Sequence, residues 1–437
     1  MGFAKEQLMR QYARGFAYLD GFVCPDCVDD AALKAYIQDG VTENKCNFCQ
    51  RESDRPIAAE ADTLLDHISE VIQTEYSFAD DELGWEDGEY VGRYFDMVEL
   101  LDDDLESPLG DGPFAEAVKG VASDAAWCER NYYATKEHEA LRYDWELFQR
   151  TVMYESRFMF LQAQDAPAGE ELIVGHPVRR GAAILGGIAR QIERGGLIKH
   201  LPAGQVVYRA RTSRSDATYT TAKDLGAAPA TRASTSRMSP AGIAMFYAAG
   251  DPETAIAEAA ETADTIASVG RFVTNTTCSV IDLDQIPTVP SIFDRENSDT
   301  REALRFLQGF RHDIMRSIER DGREHVAYVP TQIVTEYLRL VYRLNEEGEP
   351  PLDGLIFTSS RTGGKNWVLF VDNSRCIEMG QTAPDDHLSL TLEDAKVYHG
   401  RWKPDFRERR LPARPRVVTD QDHPGEPSTD YSGPLSA

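Results

Sequence analysis

The chain has 437 residues, with 73 Asp and Glu against 46 Lys and Arg and a formal net charge of −27. A polyanion of this kind repels phosphate backbones and cannot release their counterions, so no nucleic-acid partner is expected. No run approaches the roughly eighteen apolar residues of a membrane span, and the amphipathic start MGFAKEQLMRQYARGF has no signal-peptide core; a soluble, cytoplasmic protein with no membrane partner is expected.

The first motif in chain order is Cys24-Pro-Asp-Cys27 with Cys46-Asn-Phe-Cys49, two CxxC pairs with eighteen residues between them. That spacing fits a tetrahedral four-cysteine zinc site in which each pair forms a knuckle. Four thiolates fill the coordination shell, so the expected zinc is structural. Cys128, Cys278 and Cys376 are scattered and read as reduced packing residues. Apolar residues at three- and four-residue steps predict helices over Ala61 to Glu75 and Asp124 to Gln164. Between them lies the acidic run Asp80 to Asp111, read as solvated surface or as a docking face for a basic partner. The first 150 residues hold 34 Asp or Glu against 13 Lys or Arg, a net of −21.

QDAPAGEE, residues 164–171, reads as the start of a linker, so the expected organisation is an acidic helical domain over 1–164, a linker over 165–177 and a second domain over 178–404. Past it, Val206 to Tyr208 is a β-type run with Arg209 at its end, and Arg211 and Arg214 follow closely. Twenty-seven residues rich in Ala, Ser and Thr then separate Arg209 from Arg237, enough for a lid or an insertion. Met245 to Tyr247 predicts a strand closed by Gly250. Asp251 and Pro252 open a helix, an N-cap acceptor followed by a residue whose missing N–H costs nothing there. This helix, to about Glu261, carries Glu258 on a different face from Ile256. Ser359 and Ser360 lie between two more β-type runs in DGLIFTSSRTGGKNWVLFVD. The proline-rich polar segment at 405–437 is expected to be a disordered tail.

Taken in order, YRAR, SRMSPAG with FY, DPETAIAE, and IFTSS with GGKNWVLF resemble the RES domain family, named for its arginine, glutamate and serine. The resemblance covers about Ile198 to Phe370 and extends toward Tyr398, and it includes YVPTQIVTEYLR. It implies an ADP-ribosyltransferase-like mixed α/β fold behind the helical front half, hence an α+β chain. It also implies a toxin-like enzyme that consumes NAD+ as substrate, a glycohydrolase or phosphorylase with water or phosphate as acceptor. An ADP-ribosyltransferase acting on a protein, and a catalytically silent dinucleotide sensor, remain as alternatives. Carried onto this chain, the family arginines are Arg209 and Arg237, the tyrosine Tyr247, the glutamate Glu258 and the serine Ser359 or its neighbour Ser360. Asn366 falls where the family also has an asparagine. These residues would bind NAD+, with the arginines as planar clamps on its pyrophosphate. Glu258 would stabilise the oxocarbenium-like ribose, while Tyr247 and Ser359 would position the reactants. Met238 and Ser239 stand where family members often have an aromatic residue and asparagine. The front half resembles HEPN-type domains found before RES domains, and Arg130 and His138 are spaced more widely than the arginine and histidine of HEPN ribonucleases. A toxin of this kind implies an antitoxin or regulatory partner.

Overall fold

Runs of alternating or continuous β-branched and aromatic residues in the second half of the chain pair into one nine-stranded sheet, shown by the computed structural model. The structure describes residues 9, 11–160, 172–173, 176–177, 181–213, 217–260, 264–316, 322–342, 351–385 and 387–401. All belong to one compact unit, Met1–Trp402. The expected tail and most of the linker lie outside the described residues.

The sheet strands are β1 (Ile198–Leu201), β2 (Val206–Ser213), β3 (Phe246–Ala249), β4 (Asp264–Thr274), β5 (Cys278–Asp282), β6 (Gly354–Thr358), β7 (Lys365–Leu369), β8 (Cys376–Glu378) and β9 (Leu390–Arg401). Their order is β8-β9-β4-β2-β3-β7-β6-β5-β1. β5 with β6 and β8 with β9 are parallel and the other pairs antiparallel, so the sheet is mixed. Among the interior strands, β5 (Cys278–Asp282) is buried throughout and so is covered on both faces.

The principal helices are α1 (Ala31–Asp39), α2 (Ala61–Glu75), α3 (Glu137–Arg150), α4 (Ala182–Arg194), α5 (Pro252–Ala259), α6 (Ser298–Met315) and α7 (Val329–Leu340). The front region is mainly helical, and Leu64, Leu65, Ile68 and Ile72 of α2 form its core with Leu33, Ile37 and Phe114. α3 packs elsewhere. Its Leu141, Trp145 and Phe148 join Ile188 of α4 and Leu304, Leu307 and Phe310 of α6 in the core beneath the large sheet. No helix among the described residues is long and apolar enough to cross a membrane.

Two sequence expectations change in detail. The helix expected over Asp124 to Gln164 is a short strand, Trp127–Glu129, then turns, then α3 continuing as a wider coil through Thr151–Glu155. Asn131, with φ of +54°, breaks the helical path. The run expected to end at Tyr208 extends to Ser213, so Arg209 and Arg211 lie within a strand.

α6 links the two halves through ions as well as apolar contacts. Glu302 Oε2 accepts from His138 N at 3.2 Å and lies 2.7 Å from His138 Nδ1, while Arg301 pairs with Glu75. Burial opposes the Glu302 carboxylate, but the His138 contacts outweigh it and hold the group at about 2. A depressed carboxylate stabilises the fold fully above its unfolded value near ~4.3 and loses that contribution as pH falls toward its folded value. Glu302→Gln is therefore expected to cost on the order of 1–2 kcal/mol at pH 7 after solvent screening. The difference from wild type should shrink steadily between pH 4.5 and 2, measurable by urea unfolding across that range.

Candidate active site

α5 begins as its sequence dictates. Asp251 Oδ1 accepts the Thr254 N–H at 2.7 Å, Pro252 occupies the first turn, and Ala255, Ile256 and Ala257 are buried against the sheet. Glu258, one residue on, is half-buried and enters a cleft of about 440 Å³. That volume lies within the ~300–1,000 Å³ range typical of small-molecule sites. Arg209, Arg237, Tyr247, Ser360, Arg361 and Asn366 also line it.

Strand register explains the convergence. Ala249 of β3 stands opposite Asn366 of β7, which stands opposite Phe357 of β6, so the Asn366 side chain meets the α5 helix that follows β3. Asn366 Nδ2 donates to Glu258 Oε1 at 2.8 Å, and Ser359 Oγ donates to the same oxygen at 2.6 Å. The Ser359 proton has little choice: its Oγ also lies 3.2 Å and 3.3 Å from the N–H groups of Arg361 and Thr362, which can only donate to it. Ser359 is buried and does not line the cleft, whereas exposed Ser360 does. The geometry thus gives Ser359 a holding contact with Glu258 and Ser360 a place on the wall.

With Oε1 occupied twice, Oε2 is the oxygen left for other partners, and the Arg361 Nε lies 3.9 Å from it. Arg361 also donates to the carbonyls of Ala257 and Ala260, closing the last turn of α5 where the helix leaves carbonyls unpaired. This arginine follows the two serines directly, but only its partners a hundred residues away reveal its role in the wall.

Both expected arginines reach the cleft. Arg209 donates from Nε to Gly226 O at 3.0 Å and from Nη1 to Tyr247 O at 2.6 Å, and Arg237 Nη1 donates to Ile314 O at 2.5 Å. Burial pushes both guanidinium groups below their ordinary range. Among the described residues neither is within ion-pairing distance of a carboxylate, so two desolvated cations face the cavity with carbonyl hydrogen-bond partners, Arg209 also lying 5.4 Å over the Phe246 ring. Arg211 is turned away: it donates to Asp224 O at 2.9 Å and stacks 3.7 Å over the Tyr219 ring. Arg214 lies outside the described residues. Two further polar atoms on lining residues, Asn366 Oδ1 and Trp367 Nε1, are buried with no partner among the described residues. Buried polar groups are usually satisfied, and these two mark places where a ligand can supply a donor and an acceptor respectively.

Residues 206–393 match the family model of the RES domain, and residues 40–166 match that of HEPN/RES N-terminal domain 1. The chain is a RES-domain protein. No curated protein and no solved structure gives a match.

In this RES protein the Met238-Ser239 pair has a clear local purpose. Met238 is buried in the core against Thr335, and Ser239 Oγ lies 2.9 Å from Tyr247 OH. Burial raises the Tyr247 phenol above its ordinary range, so it enters the cleft neutral. Neither Ser239 nor Arg361 was legible as a site residue in the sequence.

The four front-half cysteines converge as their spacing requires. Cys24, Cys27, Cys46 and Cys49 place their sulfur atoms within 4.8 Å of one another, with neighbouring pairs at 3.5, 3.6 and 3.7 Å. A tetrahedron with zinc–sulfur bonds of about 2.3 Å has edges of about 3.8 Å, so the cluster fits one zinc ion. Burial, joined by the Cys49 thiol, pushes Cys24 up to about 12; burial also opposes the Cys46 thiolate, but backbone groups of Cys49, Phe48 and Cys24 bring it down to about 7. Backbone groups aimed at the Cys46 sulfur would orient it for a metal ion.

Among the described residues Arg130 and His138 have no hydrogen-bond partner in common. Arg130 is exposed and donates to Gln73 O at 2.5 Å, while His138 is engaged by Glu302. The acidic run is partly neutralised within the fold: Asp102 pairs with Lys119 at 2.8 Å and Asp104 with Arg93 at 3.0 Å.

Proposed function

We propose that this RES protein is an NAD+-consuming enzyme that cleaves the bond between nicotinamide and ribose, with water or phosphate as acceptor. The observation that carries the reading is the anchored Glu258 carboxylate in a cleft with two arginines that, among the described residues, have no carboxylate within ion-pairing distance. The pyrophosphate of NAD+ would take those guanidinium groups, each charge-assisted hydrogen bond contributing about 1.5–3 kcal/mol. The glycosidic bond then breaks with its electron pair leaving on the nicotinamide nitrogen, which neutralises the pyridinium. Positive charge develops at the ribose, where Glu258 Oε2 stabilises it without reorganising, because Ser359 and Asn366 already fix the other oxygen. Addition of water and loss of its proton give ADP-ribose; addition of phosphate gives the 1″-phosphate. Tyr247, held by Ser239, lies where a neutral ring can cover the sugar or the base and exclude water.

In this reading zinc on Cys24, Cys27, Cys46 and Cys49 holds the front region together and takes no part in the reaction. The RES match supports a toxin-like role in general terms; we take the site of action to be the cytoplasm, where an antitoxin or regulator would act by covering the cleft. Calorimetry of wild-type protein with NAD+, followed by analysis of the recovered nucleotide, tests the reading. Conversion to nicotinamide and an ADP-ribosyl product supports it; NAD+ bound and recovered intact would show a dinucleotide sensor instead.

A further inference from the structure

Arg237 and Tyr247 owe their placement to a residue outside the cleft. Arg237 sits in the tight turn Ser236–Ser239, where Ser236 N donates to Ser239 O at 2.8 Å and Ser239 N donates to Ser236 O at 3.3 Å. The two carbonyls that close this turn both face the side chain of Gln332. Its Nε2 lies 2.8 Å from Ser236 O, 3.2 Å from Ser239 O and 3.1 Å from Thr235 Oγ1. The orientation of the amide follows from chemistry, since only the NH2 end can satisfy two carbonyls. Gln332 is 7 % exposed, so water does not compete for these bonds.

The rest of α7 grips the same turn. Thr331 Oγ1 donates to the Arg237 carbonyl at 2.6 Å, and Thr335, one helical turn further on, places its hydroxyl 3.4 Å from Met238 Sδ. Two cleft groups depend on the result. The Arg237 side chain runs from this turn to Ile314 O, and Ser239 presents its hydroxyl to Tyr247 OH.

We propose that Gln332, supported by Thr331, is a positioning residue that sets Arg237 and, through Ser239, Tyr247 for nucleotide binding. The inference rests on the NAD+ reading above. Because Arg237 grips the unreacting pyrophosphate, loss of its placement should weaken binding more than it slows chemistry.

The test uses the full chain and compares wild type, Gln332→Met, Thr331→Val, Arg237→Ala and the double variant Gln332→Met with Arg237→Ala. Gln332→Met keeps the side-chain volume and removes both donors; Thr331→Val is nearly isosteric and serves if the first fails to fold. Each is expected to raise KM for NAD+ about tenfold or more with kcat within about threefold. In the Arg237→Ala background Gln332→Met should raise KM by clearly less than it does alone, because only its effect through Ser239 and Tyr247 remains. A folded variant with wild-type KM, or effects that multiply fully in the double variant, would overturn the proposal while leaving the NAD+ reading intact. Wild-type protein that neither binds nor consumes NAD+ would remove both.

Discussion

Glu258→Gln is expected to lower kcat for NAD+ consumption by about 10³-fold or more, equivalent to about 4 kcal/mol of lost transition-state stabilisation. The substitution keeps the shape and replaces one carboxylate oxygen by an NH2 group. Ser359 Oγ and Asn366 Nδ2 both donate to Oε1 in the native protein, so the amide would turn its carbonyl toward them and its NH2 into the cleft. A donor with no negative charge would then face the developing cation. KM should move by less than tenfold, because Arg209 and Arg237, the proposed clamps, are untouched. Ser359→Ala and Asn366→Ala should each lose less, since each removes one of two bonds to the same oxygen. Steady-state nicotinamide release by the four proteins checks the order; a Glu258→Gln enzyme within tenfold of wild type would remove Glu258 from the chemistry.

Loss of the metal should have the largest effect on stability. Structural zinc contributes an apparent ~10–16 kcal/mol in small metal-dependent folds, and here the ligands bridge segments that also build the front core. Cys24, Cys27 and Cys46 are themselves buried beside Val23, Val28, Leu33 and Ala58. Without the ion, four sulfur atoms packed at van der Waals distance have only weak thiol hydrogen bonds to hold them. The purified protein is expected to carry one equivalent of zinc by elemental analysis. Cys46→Ala should abolish that zinc and lower the melting temperature of the front region by more than ~10 °C, with the unfolding of the chain splitting into two transitions. Chelation should grow easier as pH falls, because each thiolate must be deprotonated to bind. A metal-free protein with the same melting curve as the zinc-loaded form would contradict this.

What the sequence disclosed follows from how local the cause was. α2 occupies Ala61–Glu75 as its periodicity predicts, and α5 starts at the Asp251-Pro252 signal, because helix caps and apolar steps act within a few residues. The cysteine cluster was legible for the same reason: ligand spacing is written in the chain. Glu258, Arg209 and Arg237 were found only through the ordered motifs, and the structure places all three on one cleft. Ser359 and Ser360 could not be separated in the sequence, since the distinction lies in which hydroxyl reaches a carboxylate 101 residues away. Arg361, Ser239 and Gln332 were missed for that reason too; their partners lie on other elements. The long helix expected through Asn131 failed because a single residue at positive φ overrode a fair apolar pattern.

The most direct measurement is a ¹H and ³¹P NMR time course of NAD+ with purified wild-type protein and with Glu258→Gln, in phosphate and in phosphate-free buffer. The expected result is free nicotinamide appearing together with ADP-ribose, or with its 1″-phosphate when phosphate is present, in wild type and at least about 10³-fold more slowly in the variant. NAD+ unchanged after prolonged incubation with folded wild-type protein in both buffers would contradict the assignment of this cleft to NAD+ cleavage.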